Sequence, residues 1–193
     1  MDHTRPLFDR LFDEHADVLA RTRADCAPAL TAMLACWVEA IQGGGRLLFF
    51  GNGGSAGDAQ HLATELTVRF QKTRAPIAAL ALTTDSSTLT AIGNDFGFER
   101  IFARQIEALG RPGDVAIGIT TSGKSANVTA ALRQAREMGL TAAAFAGGGG
   151  GDLAGLADPM ILVPSDTTAR VQEMHILLGQ MLCEALEQEL GLV

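Results

Sequence analysis

Leu47-Leu48-Phe49-Phe50-Gly51-Asn52-Gly53-Gly54-Ser55-Ala56-Gly57-Asp58-Ala59-Gln60-His61 decides the fold class. Four apolar residues without alternation read as a strand buried on both faces. Glycines then turn the chain, and a helical pattern follows. Further apolar runs lie at 77–82, 115–119, 141–145 and 160–163, each followed by glycine or hydroxyl residues. The intervening helices are expected at 54–70, 86–93, 98–109, 124–138 and 167–190. Strand–helix alternation of this kind makes a parallel sheet covered on both sides. Ligands of such folds bind beyond the carboxyl ends of the strands. Upstream, Leu7, Phe8, Leu11, Phe12, Val18 and Leu19 recur at helical spacing, so the first twenty-odd residues read as an amphipathic helix. A second helix is expected over 30–41, ended by Gly43-Gly44-Gly45. The glycine run 147–151 reads as a flexible loop and not as a domain linker, because sheet-like segments flank it.

Composition bounds what this fold can do. A length of 193 residues suggests one domain. With 47% hydrophobic and 19% charged residues the chain is not disordered. A net charge of −7 argues against a nucleic-acid surface as its main business. Cys26, Cys36 and Cys183 have no metal-type spacing and are odd in number, which fits a reducing compartment. The opening residues mix charge signs and lack an apolar core, and no uncharged stretch reaches the ~18 residues of a membrane span. No signal peptide, no membrane contact and a cytoplasmic location are therefore expected.

Three loops are candidates for holding an anion. Gly51-Asn52-Gly53-Gly54-Ser55-Ala56 fits G-x-G-x-x-A, a dinucleotide-binding variant whose glycines admit a ligand close to the backbone. The nicotinamide reading wants a carboxylate about 20 residues on. Phe70-Gln71-Lys72-Thr73-Arg74 has none there. A tight strand-to-helix turn explains part of the glycine content as well. Gly118-Ile119-Thr120-Thr121-Ser122-Gly123-Lys124-Ser125 matches the P-loop pattern of a small nucleotide kinase. Its first glycine falls inside the apolar run, and no clean strand ends in a metal-binding aspartate. Thr120, Thr121, Ser122 and Ser125 at a helix start suit a single phosphate monoester. A bare N-cap cluster is the plainer alternative, but one cap does not need four hydroxyls. In Thr83-Thr84-Asp85-Ser86-Ser87, Asp85 or Ser86 is expected to cap the next helix.

Asp58, His61 and Glu65, at i, i+3 and i+7, share a face of the helix after the first loop. His61 and Glu65 can share one divalent metal, although such a trio on its own is more often a solvated face. On the last helix, Gln172, Ile176 and Gln180 share a side, since eight residues advance a helix by about 80° net. His175 points away from Gln180 by about 140° and reads as a satisfied core or interface histidine.

Four motifs in order carry a resemblance over nearly the whole chain. They are residues 51–66 (Gly-Asn-Gly-Gly-Ser-Ala-x-Asp-Ala-Gln-His-x-Ala-x-Glu-Leu), Gly93-Asn94-Asp95-Phe96-Gly97, the 120–125 loop with Ala126-Asn127-Val128, and Arg170-x-Gln172-Glu173-x-His175. Together they resemble the phosphoheptose isomerases of the sugar isomerase (SIS) domain superfamily. The resemblance implies a three-layer α-β-α sandwich around a five-stranded parallel sheet. It implies a single SIS domain over 1–193 whose N-terminal helical segment, 1–45, serves oligomerisation, and a homotetramer with active sites between subunits. It implies isomerisation of sedoheptulose 7-phosphate to D-glycero-D-manno-heptose 7-phosphate, the first step towards nucleotide-activated heptose for bacterial surface glycans such as lipopolysaccharide. By position, Asn52, Gly53, Gly54, Ser55, Glu65, Asn94, Asp95, Thr120, Thr121, Ser122, Ser125 and Gln172 would contact the sugar phosphate. His61, Glu65 and Gln172 would be zinc ligands, and Glu65 the catalytic base, with Asp58 orienting His61 or relaying a proton. The family's fourth ligand and second acid–base residue is a histidine at the place of Gln180, so weakened zinc binding and slowed turnover are expected here. Position 120 is commonly serine in the family, and threonine keeps the hydroxyl. A phosphosugar-binding regulator without catalysis, of the kind that associates with a replication initiator, is the alternative function. The P-loop kinase stands third.

Overall fold

Residues along the first strand divide between two cores. Leu47 and Phe49 pack with Met33, Trp37, Leu62 and Met174, whereas Leu48 and Phe50 pack with Ile92, Ile106, Val128 and Leu132. Successive side chains of a strand point to opposite faces, so an unbroken apolar run is what a sheet covered on both sides demands. The computed structural model describes residues 4–193. Its elements are α1 (Arg5–Asp25), α2 (Ala27–Gln42), β1 (Leu47–Gly51), α3 (Gly54–Thr67), β2 (Ala79–Ala81), α4 (Ser86–Phe96), α5 (Ala103–Leu109), β3 (Val115–Thr120), α6 (Ala126–Glu137), β4 (Thr141–Ala146), β5 (Met160–Leu162) and α7 (Thr168–Glu189). Short 3-10 segments lie at Phe98–Arg100 and Gly148–Leu153. All strand pairs are parallel, in the order β2-β1-β3-β4-β5. Helices α1, α2, α3 and α7 cover one face, and α4, α5 and α6 the other. This is the expected three-layer sandwich.

Element boundaries differ from expectation for local reasons. Pro28, in the first turn of α2, cannot donate to a preceding turn, so α1 stops at Asp25 and α2 sets off 66° away. Helix α2 therefore begins earlier than the expected 30. The start of the first expected helix, residues 1–3, lies outside the described residues. Gly97 adopts a φ of 90° and separates α4, which runs on to Phe96, from the 3-10 turn that replaces the first part of the expected 98–109 helix. Asp85 caps α4, its carboxylate accepting from Thr88 N at 3.0 Å. The run 147–151 is packed rather than free. A Cβ on Gly123 would meet the Gly150 backbone at 2.5 Å, and Asp152 N donates to Gly123 O at 2.8 Å. Glycine on both sides lets two backbones touch, so this segment braces the 120–125 loop from behind.

No single helix among the described residues is long and apolar enough to cross a membrane; the bent pair α1 and α2 together passes that test of length and composition. Much of α2 faces the core, with Met33 and Trp37 fully buried.

Candidate active site

Strands β1 and β3 are neighbours, with Gly51 in register with Ile119. The strand order reverses between them, so their carboxyl ends bound the crevice where ligands of open parallel sheets bind. The loops at 51–55 and 120–125 leave the sheet side by side. Asn52 Nδ2 donates to Asn127 Oδ1 and Asn127 Nδ2 to Asn52 Oδ1, both at 2.8 Å. The Asn127 oxygen also accepts from Val128 N at 2.9 Å. This reciprocal amide pair ties the two loops together. It engages the Asn52 side chain, while a Cβ on Gly53 would meet nothing within 4 Å, so the loop is open at that residue. The sequence reading included Asn127 in a motif without a role; its place in the first turn of a helix beside a hydroxyl loop was the available signal.

In the second loop, Thr120 Oγ1 lies 3.0 Å from Ser125 Oγ and 3.5 Å from Ser122 Oγ. Ser125 stands at the N-cap of α6 but makes no side-chain cap bond. The hydroxyls converge on one another at the helix start instead of capping it, which removes the plain capping account. A helix start with donors aimed outward is a ready anion site. The P-loop reading fails here. Gly118 lies inside β3, where a Cβ would strike Val128 at 2.7 Å and Leu132 at 3.1 Å, so this glycine serves helix–sheet packing. Lys124 is exposed and only its backbone N–H is engaged locally, with Ser122 Oγ at 3.2 Å. The nicotinamide reading fails too, because Arg74, in the segment where a ribose-binding acid is required, is buried against Glu187.

Helix α3 carries His61 and Glu65 towards α7. His61 Nε2 lies 3.1 Å from Glu65 Oε1 and 3.3 Å from Gln180 Nε2. One ring nitrogen thus faces a carboxylate and an amide at once. A protonated Nε2 satisfies Glu65 and calls for the amide oxygen of Gln180; a bare Nε2 accepts from the Gln180 amide and leaves Glu65 needing a cation. That is the donor chemistry of a loose cation site, with one imidazole, one carboxylate and one neutral amide. Among the described residues no group of three or more His, Cys, Asp or Glu side chains forms a ready metal site. Gln172 lies about 12 Å along α7 from Gln180, by helix rise. Its amide crowds Gly54, where a Cβ would fall 2.2 Å from Nε2, and it hydrogen-bonds Asp58. The structure therefore brings His61, Glu65 and Gln180 together and sets Gln172 with Asp58 and the first loop.

Asp58 is buried at 8% exposure, and its Oδ2 has no hydrogen-bond partner. Burial pushes its carboxyl up to about 6, against the lowering effects of the Gln172 amide and the His61 charge. Its hydrogen bond runs to Gln172 and not, as expected, to His61. Neither Asn94 nor Asp95 hydrogen-bonds to the 51–55 or 120–125 loop. They lie exposed at the far end of α4, hydrogen-bonded to each other at 2.7 Å. His175 is the core histidine that was expected. Its Nε2 donates to Ala146 O at 3.2 Å, and desolvation depresses it to about 4. A separate cavity of about 560 Å³ opens among Leu80, Thr84, Asp85, Ile92 and Arg104, and none of the expected site residues lines it.

The SIS domain family model matches residues 10–147. A phosphoheptose isomerase of Paramagnetospirillum magneticum is 60% identical over 93% of this chain and 93% of its own length. The structure of a phosphoheptose isomerase from Neisseria gonorrhoeae superposes with a TM-score of 0.90 at 39% identity, covering 95% of this chain and 98% of its own. One from Francisella tularensis gives 0.92 at 35% identity, over 96% and 98%.

Proposed function

The chain belongs to the SIS domain family, among the phosphoheptose isomerases, and from that premise we propose that it interconverts sedoheptulose 7-phosphate and D-glycero-D-manno-heptose 7-phosphate. That the chain is a heptose-phosphate isomerase rests on the family. The particular substrate pair is the one the family resemblance implies, and the site supplies the chemistry it needs. The observation that supports the reading is the hydroxyl-rich anion loop at the start of α6, with the His61–Glu65–Gln180 cluster further along α3 and α7.

Thr120, Ser122 and Ser125, with the amides at the start of α6, hold the phosphate. Thr121 and the 53–55 backbone close around the sugar, and the Asn52–Asn127 pair keeps the two loops at a fixed separation. Isomerisation moves a proton between C1 and C2 through an enediol, which needs a base with the sugar carbonyl beside it. Glu65, half-buried with one oxygen at His61, is that base: it takes the proton from one carbon and returns it to the other. Zinc is the metal implied by the family; His61, Glu65 and Gln180 would hold it here, with Gln172 nearer the first loop, and when bound it would polarise the substrate oxygens. Gln180 cannot exchange a proton at neutral pH, so Glu65 works without a second protein acid–base group at that position.

The wider reading is a single SIS domain over 1–193 acting as a cytoplasmic homotetramer. Asn94 and Asp95 would reach the crevice of another copy, which gives their exposed position a use. Neither nucleic acid nor membrane is a partner, in keeping with a net charge of −7. The presence of both His61 and Glu65 at contact distance favours catalysis over a purely regulatory phosphosugar-binding role. Turnover of sedoheptulose 7-phosphate by the purified protein, compared with Glu65→Gln, tests the proposal. The variant keeps size and hydrogen-bonding reach but loses the proton acceptor. Its kcat should fall by roughly 10²–10⁴-fold, the usual worth of a positioned base, with sugar-phosphate binding kept. Equal turnover in the two proteins removes Glu65 from this role.

A further inference from the structure

A buried ion pair lies directly beneath the residue read as the base. The side chains of Arg74 and Glu187 are 1% and 2% exposed, with Nε donating to Oε1 at 2.7 Å. The rest of the guanidinium turns onto α3. Nη2 donates to the Glu65 carbonyl at 2.8 Å and Nη1 to the Leu66 carbonyl at 2.7 Å. These carbonyls belong to the last turn of the helix, where no intrahelical donor remains. A fixed cation at that end is also favoured by the helix dipole. Glu187 Oε1 accepts a second bond, from Phe70 N at 3.1 Å, and so ties the chain leaving α3 to α7.

Gln180 and Glu187 are seven residues apart on α7, two turns along one side. Gln180 meets His61 of α3, and Glu187 meets the arginine that holds the Glu65 backbone. The two contacts bracket the face where His61 and Glu65 meet. Burying an ion pair is a poor way to gain stability, since apolar residues of similar volume often serve as well. A planar guanidinium that spreads its donors over a charge partner and two helix-end carbonyls is better suited to setting geometry.

The geometry points to Arg74 and Glu187 as positioning residues. They fix the last turn of α3 and its register against α7, so that the Glu65 carboxylate stays aligned with His61 and Gln180. Neither touches the sugar phosphate. The inference rests on the reading of Glu65 as the base of the isomerisation.

The double variant Arg74→Met/Glu187→Met removes the charges together and leaves no lone buried ion. It should fold, with an unfolding midpoint somewhat below that of the parent because the Glu65 carbonyl and the Phe70 N–H lose their partners. Its kcat for sedoheptulose 7-phosphate should fall on the order of 10–100-fold, the usual cost of a lost supporting partner or a misplaced group. KM should stay within about twofold, because the 120–125 loop is untouched. The His61 ring Cε1–H resonance, identified by its absence from His61→Asn, should move. A folded double variant with parental kcat and an unmoved His61 signal overturns the inference. If the double variant does not fold, Arg74→Lys, which keeps charge but not the fork of donors, is read by the same criteria. If the parent itself turns over no heptose phosphate, the substrate reading fails, and the His61 signal alone then decides the positioning role: moved in its favour, unmoved against it.

Discussion

The resemblance to the phosphoheptose isomerases calls for a histidine at position 180, where this chain has glutamine. The amide lies 3.3 Å from His61 Nε2, so the position belongs to the cluster. An amide oxygen is a weak, neutral ligand, whereas an imidazole binds zinc well and carries a proton near pH 7. Gln180→His should therefore raise zinc affinity and turnover together, each on the order of tenfold or more, since even supporting partners of a metal ligand matter that much. Metal content after dialysis and the rate with sedoheptulose 7-phosphate are the measurements. Neither changing would detach position 180 from the chemistry. Asp58 makes the complementary point. Its place on the working face followed from helical spacing, but its buried Oδ2 and its bond to Gln172 depend on how α7 packs, which no spacing within α3 reveals.

At the scale of elements, α7 is held to the sheet by a histidine that the chemistry does not use. His175 is 1% exposed and sits edge-on to Phe145, with ring centroids 5.9 Å apart. Desolvation lowers it from 6.5 to about 4. Between those values the unfolded chain binds the extra proton, so the contribution of His175 is fully present above about 6.5 and is lost as pH falls towards 4. The loss amounts to roughly 3 kcal/mol, at about 1.4 kcal/mol per unit. Asp58, raised from 3.8 to about 6, runs the other way, because the folded state binds its proton more readily and gains stability over that interval as pH falls. The two are separated by comparison. Urea midpoints of the parent should fall more steeply between pH 7 and 4.5 than those of His175→Leu, and parallel curves would refute the assignment. A lone histidine beside Glu173 and Met174 was readable as a core residue from helical angle, but the Ala146 carbonyl that receives its proton comes from a strand 29 residues away.

For the whole molecule, what stays uncovered is as informative as the core. Phe8 and Phe12 of α1 are 55% and 74% exposed, and Phe96 and Phe98 are 53% and 64% exposed at the far end of α4 beside Asn94 and Asp95. Large aromatics grouped in this way mark association surfaces. Light scattering at micromolar concentration should find a tetramer, and Phe8→Ser/Phe12→Ser should reduce its mass; a monomeric parent would remove both the assembly and the proposed use of Asn94 across subunits. The fold class lay in the sequence because its signals are local: four- to six-residue apolar runs, glycine turns and helical spacing each arise from neighbouring residues, and the central strands, buried on both faces, leave no polar alternation to confuse them; the run at 77–82 shortens to the edge strand Ala79–Ala81, with Leu80 exposed. The pairing of His61 with Glu65 was legible for the same reason, being one turn of one helix. The tetrad of Asn52 with Asn127, Gln172 with Gly54, Gln180 with His61 and Arg74 with Glu187 was not. Each joins residues 75 to 119 positions apart, and only the parallel order of β1 beside β3 and the seating of α7 along α3 bring them within hydrogen-bonding reach, because packing of the two cores, rather than any local preference, sets those alignments.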